Sequence, residues 1–213
     1  RYREPARASV GRLSRGFGHE LAEGFALLRR DRRLLANTLM IVVCTAGLGA
    51  VYPLTFFFAV QVLDGGPGVF GALEAIVGAG FFVGSLALVA FAPRVRKGPL
   101  MIGGLAVMGG CIALVATTWS IWSAAVPLAL FGIANAVALI AVDTYLQEIV
   151  PHGIRGRVLG TRFTITQGMY ALSVLVGSAL AALVDVRALL VGAGALVALS
   201  ALVGLLFREV RSS

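Results

Sequence analysis

The run QEIVPHGIRGRVLG, from Gln147 to Gly160, separates two long apolar stretches and governs the reading of everything around it. Pro151 disfavours helical geometry at Val150 and Gly153 loosens the chain, so a helix that precedes the run ends within it. Arg155 and Arg157 follow, too polar for a lipid core, and then apolar residues resume. A proline, glycine and arginine corner between two hydrophobic runs reads as a cytoplasmic turn of a membrane protein.

Composition supports that solvent. Of 213 residues, 59% are hydrophobic and 13% charged, against about 25% charged in ordinary soluble domains. The mean hydropathy is +0.93. A soluble domain of this size could not cover so many apolar side chains with so little polar surface. The net charge of +8 does not point to nucleic acid, because the basic residues sit between apolar runs rather than along one soluble face. Cys44 and Cys111 both lie in apolar segments, and the histidines, His19 and His152, both lie in basic stretches. No disulfide framework, metal site or cofactor is expected from them. The chain opens on Arg1-Tyr2-Arg3 with no signal peptide, and a piece of a longer polypeptide is expected.

Residues 1–33 hold nine Arg and no long apolar run. Within them Val10, Leu13, Phe17, Leu21, Phe25 and Leu28 recur at helical steps, which predicts an amphipathic cytoplasmic linker at the membrane surface. Six apolar segments follow over 34–207, each near the roughly 20 residues that cross a bilayer. They are read as 34–60, 69–92, 99–117, 121–150, 158–184 and 187–207, with a tail at 208–213. With the amino end inside, every Lys and Arg except Arg187 falls on the inner side, so both ends of the segment are placed in the cytoplasm. The outer connections, 61–68, 118–120 and 185–186, are too short to build an external ligand-binding domain. Small residues such as Gly78, Gly80, Gly84, Gly103, Gly104, Gly109, Gly110, Gly192 and Gly194 predict a tight bundle, because close backbone approach carries helix packing in lipid.

The corner carries a family likeness. Its glutamine, hydrophobic pair, proline, short spacer and Arg155-Gly156-Arg157-Val158 resemble the loop between the tenth and eleventh helices in the drug- and siderophore-exporter branch of the major facilitator superfamily. HELAEGFALLRRDRRLL, from His19 to Leu35, is similar to that branch's approach to helix seven. Gly177 with Asp185 and Arg187 is similar to the passage between its last two helices. The resemblance implies an all-α membrane protein: the carboxyl-terminal six-helix half of a twelve-helix transporter, built of two inverted three-helix repeats, with its central linker. That repeat architecture belongs to the superfamily. One departure stands out. Gly84 to Gly98 carries Arg94, Arg96 and Lys97 but no acidic residue, where the family's loop often keeps one.

Two carboxylates lie within spans, Asp143 and Glu74. An ionisable group at membrane depth is a functional hypothesis by default, since burying its charge costs at least about 2.5 kcal/mol. A carboxyl able to be charged or neutral is what proton coupling needs. Asp143 shares a helical face with Gly132, Asn135, Ala136, Leu139 and Gln147, suited to a wet cavity. The competing reading is a fixed ion pair with a loop Arg that only locks the helix end. Glu74 is shallower, and a hydrated carboxylate without a role describes it as well. Thr164, Gln167 and Ser178 form a polar stripe on the fifth span, open to substrate contact or to ordinary interhelical bonding. Tyr52, beside Pro53, marks either an outer gate or a helix end. Glu148, with Arg155, Arg157 and Arg94, is read as a cytoplasmic charge cluster holding one conformation, or as solvated pairs worth at most about 1 kcal/mol.

The expectation is a secondary active transporter, a proton-coupled exporter of small amphipathic compounds in the plasma or inner membrane. Its partners would be an amino-terminal six-helix half, a small-molecule substrate, protons and membrane lipid. The alternatives are a non-transporting scaffold with a transporter-like bundle, a membrane enzyme, for which the histidine count is unfavourable, and a half-transporter that dimerises.

Overall fold

The computed structural model describes residues 22–91 and 96–207, the side chain of Phe91 excepted. Arg94, the tail 208–213 and the stripe residues Val10, Leu13, Phe17 and Leu21 lie outside the described residues. The described chain forms α1 (22–30), α2 (Arg32–Gln61), α3 (Pro67–Phe91), α4 (Lys97–Val115), α5 (Ile121–Ile149), α6 (Arg155–Leu180) and α7 (Val186–Leu206). A single 3-10 turn, His152–Ile154, links α5 to α6. No strand occurs among the described residues.

Local chemistry sets the helix ends. Asp31 is extended and accepts a hydrogen bond from the Arg33 amide at 2.8 Å, capping α2. Ser120 and Ser123 exchange side-chain and backbone bonds as a capping box at the start of α5. Asp185 accepts from the amides of Arg187 and Ala188 at 2.8 and 3.1 Å and opens α7. Pro67 takes the first position of α3, where its missing N–H leaves no bond unmade. α5 stops at Ile149, and Val150 turns extended (φ −89°, ψ 121°) ahead of Pro151.

Two boundaries differ from the sequence reading. α6 begins at Arg155 rather than Val158 and ends at Leu180 rather than Val184. A helix can start in water before it reaches lipid, so the polarity of Arg155 and Arg157 does not bound it. Pro53 does not end α2, which continues to Gln61. The helix-end reading of Tyr52-Pro53 is therefore set aside.

Helices α2 to α7 are each long and apolar enough to cross a membrane. Large apolar side chains such as Phe82, Leu86, Val89, Val126, Leu175 and Leu199 are exposed along them. Water would make that surface an aggregation hazard; lipid solvates it. The chain is an all-α, multi-pass membrane protein.

Packing follows a simple order. α6 lies on α2, α2 on α7, α7 on α4, α4 on α5 and α5 on α3, while α2 meets α3 and α5 lightly. Exchanging α2 with α5, α3 with α6 and α4 with α7 leaves the extensive pairs unchanged. Two three-helix units of opposite direction thus repeat one arrangement. α4 and α7 back the bundle, and α3 and α6, at its two flanks, are the least covered.

Glycine makes the contacts possible, and in matching places. A Cβ at Gly194 would sit 2.6 Å from the Gly109 carbonyl oxygen, and one at Gly109 2.5 Å from that of Gly194. Gly84 lies against the Ile133 carbonyl of α5 as Gly49 lies against the Tyr170 carbonyl of α6, both at 2.6 Å for an added Cβ. Polar bonds reinforce the α2–α6 seam and the lighter α2–α5 contact. Ser173 donates to the Ala46 carbonyl at 2.6 Å, and the fully buried Asn37 donates to the Val142 carbonyl at 3.2 Å. Arg187 closes the end opposite the corner by donating to the Ala116 and Thr118 carbonyls, with the Trp119 ring 3.8 Å from its guanidinium carbon. Of the expected small-residue contacts, Gly78, Gly103, Gly110 and Gly192 have open space where a side chain would go. Gly194→Ala is therefore expected to destabilise the bundle by about 1–3 kcal/mol. Gly192→Ala, on an open face of the same helix, should stay within about 0.5 kcal/mol, and thermal unfolding in detergent measures both.

Candidate functional site

Asp143 and Arg162 are brought together where α5 and α6 diverge from their corner. Arg162 Nη1 donates to Asp143 Oδ1 at 2.7 Å. The two ends of this pair stand in different surroundings. Arg162 is 7% exposed and its Nε has no partner, whereas the Asp143 side chain is 57% exposed. A guanidinium so deeply placed is costly unless a negative charge accompanies it.

The pair forms part of the wall of a cavity of about 550 Å³. α2 contributes Ile41 and Thr45, α5 contributes Leu139, Asp143 and Gln147, and α6 contributes Phe163, Thr166 and Gln167. Apolar and polar groups both line the space, so it suits an amphipathic occupant better than a bare ion. Gln147 and Gln167, singled out in the sequence, both reach it. Thr45 bonds back to the Ile41 carbonyl at 2.6 Å and Thr166 to that of Arg162 at 3.0 Å, which keeps their methyl groups free for packing.

Other sequence candidates stand elsewhere. Thr164 is exposed and bonds the Gly160 carbonyl at 3.0 Å; Ser178 bonds that of Val174 at 2.8 Å. Neither lines the cavity. Asn135 lies deeper on α5, with its Oδ1 buried and unpartnered. Glu74 is half-buried on α3 and has no ion-pair partner among the described residues. Tyr52 is at the opposite end of the bundle, edge-on to Phe70 at 5.5 Å, with Phe56 also edge-on to Phe70 at 5.6 Å. That aromatic group occupies the α2–α3 contact, which the helix exchange maps onto the α5–α6 contact of Asp143 and Arg162.

The expected cluster of Glu148 with Arg155 and Arg157 does not form. Glu148 pairs with Lys97 at the start of α4. Arg157 pairs with Glu23 of α1 at 2.9 Å. Arg155 folds back to donate to the Gln147 and Val150 carbonyls at 2.7 and 3.5 Å. The reason is geometric: Glu148 is turned toward α4, and the first residue of α6 lies beneath the open carbonyls that end α5.

Beside this corner α1 docks on α6. Gly24 rests directly on Thr161, and Leu28 is buried with Leu34, Leu146, Val150 and Val158. The Leu28 face of the linker thus meets protein, not lipid. Sequence reasoning counted Arg162 only among the inner-side basic residues; its place two turns into α6 was the signal that it belongs with Asp143. Lys97, Glu23 and Thr45 were missed outright. Asp143→Ala, which strands the Arg162 charge, is expected to cost about 2 kcal/mol, below the value for a fully buried pair because Asp143 is half open. Arg162→Met, which keeps the volume and removes the charge, should be nearer neutral in the same melting measurement.

No curated protein matches the chain. The sequence pattern of the Major Facilitator Superfamily matches residues 1–173, well over half of its length. Together with six membrane-crossing helices in two inverted units, that match identifies the chain as a member of the Major Facilitator Superfamily, a family of membrane transporters.

Proposed function

We propose that this chain is the carboxyl-terminal half of a secondary active transporter, a proton-coupled exporter of small amphipathic compounds. It works by alternating access against an amino-terminal six-helix half, in the plasma or inner membrane, with the arginine-rich end in the cytoplasm. The observation that carries this reading is the half-open Asp143 bonded to the buried Arg162 in the wall of a mixed polar and apolar cavity.

The chemistry is direct. Protonation of Asp143 removes the charge that offsets Arg162. The guanidinium, desolvated and without a counter-ion, then favours a position nearer water, and α6 moves relative to α5. Loss of the proton restores the pair. Substrate in the cavity would meet Gln147 and Gln167 as hydrogen-bonding groups and Phe163 and Leu139 as apolar surface. Glu74 and Asn135, with Thr164 and Ser178, remain candidates of second rank on this reading, since none lines the cavity. On this reading Tyr52 belongs to an outer gate, and the Lys97–Glu148 and Arg157–Glu23 pairs belong to the cytoplasmic one.

Asp143→Asn in the whole transporter is expected to abolish uphill efflux, by about tenfold or more, with expression intact and downhill equilibration retained. Unchanged efflux removes Asp143 from the mechanism. The double substitution Asp143→Asn with Arg162→Gln separates coupling from locking. Recovery of uphill transport in that variant would mean the pair serves only as a latch.

A further inference from the structure

α1 presents a flank that the bundle leaves uncovered. Its inner face is taken by Gly24 and Leu28. Away from that face Phe25 is 50% exposed, and Arg29 lies over its ring, 5.9 Å from the centroid. Arg32 and Arg33 follow at the first turn of α2, both exposed. Among the described residues no carboxylate pairs with Arg29, Arg32 or Arg33. Glu23 is engaged by Arg157, and an Asp31 oxygen is engaged by the Arg33 amide.

We propose that Phe25, Arg29, Arg32 and Arg33 form a docking surface for anionic phospholipid headgroups at the basic rim of the bundle. The position fits. α2 is uncharged from Leu34 onward, directly after these guanidiniums, which puts them at the headgroup end of that span. The chemistry fits as well. Guanidinium groups take phosphate oxygens in a bidentate fashion, and an exposed aromatic ring beside them inserts among the upper acyl carbons. Net negative charge on the lipid, rather than phosphate alone, is what such a cationic patch selects. α1 rests on Thr161, next to Arg162, so lipid held here would also press the helix that carries the cavity's cation. The docking surface itself does not depend on the transport reading.

Phe25→Trp sets an indole at the centre of the patch, and its fluorescence, taken as the difference from the parent protein, reports contact with brominated lipid. In vesicles of phosphatidylcholine with a minority of phosphatidylglycerol, bromine on the phosphatidylglycerol is expected to quench that signal more than an equal fraction of brominated phosphatidylcholine. The local enrichment should be about fivefold or more. Arg29→Gln, Arg32→Gln and Arg33→Gln together should bring the two lipids level, and all three side chains are exposed, so the fold tolerates the change. Equal quenching by both lipids before that substitution, or an excess that survives it, overturns the proposal.

Discussion

Helices surrounded by lipid gain nothing from hiding apolar surface against each other, so this bundle is held by backbones brought close enough to touch. The places where they touch are glycines facing carbonyls: Gly109 with Gly194, Gly84 with Ile133, Gly49 with Tyr170. Those contacts fall on helix pairs that the exchange of the two three-helix units interconverts or leaves alone. Tight seams at α2–α6, α3–α5 and α4–α7 leave α2 and α5 only lightly joined, with α3 and α6 open at the flanks. The light joining of α2 to α5 leaves room for the cavity that Asp143 and Arg162 help to line.

Against that apolar background the Asp143–Arg162 pair carries unusual weight. Arg162 is nearly excluded from solvent, and Asp143 reaches an open space. The asymmetry means that the carboxylate, not the guanidinium, is the partner that solvent and protons reach. The corresponding contact at the other end uses Tyr52, Phe56 and Phe70. One fold motif has thus been given an ionic closure at its basic end and an aromatic one opposite. Only the ionic one pairs formal charges.

The fold was largely legible because its signals are long-range averages: runs of apolar residues, arginine placement and a proline at the corner. Pro151 located the end of α5 to within a residue. Polarity was a poorer guide to where α6 begins, because Arg155 and Arg157 are compatible with a helix still in water. At the site, face periodicity placed Asp143 and Gln147 together on α5, and that holds in the cavity wall. Periodicity within one helix says nothing of what faces it. The partner of Glu148 is Lys97, the partner of Arg157 is Glu23, and both depend on neighbours distant in sequence. Thr164 and Ser178 looked like ligand groups by type, yet each hydroxyl is engaged by its own helix.

Arg187 joins spans that lie far apart along the chain. It is a first-turn residue of α7, and it satisfies carbonyls left open where α4 ends while stacking on Trp119 ahead of α5. The turn between the third and fourth spans therefore lacks its cation until the sixth has been threaded into place. Assembly of this rim waits on a segment the ribosome delivers some seventy residues after the turn it completes, which makes that arginine the keystone set after the arch is standing.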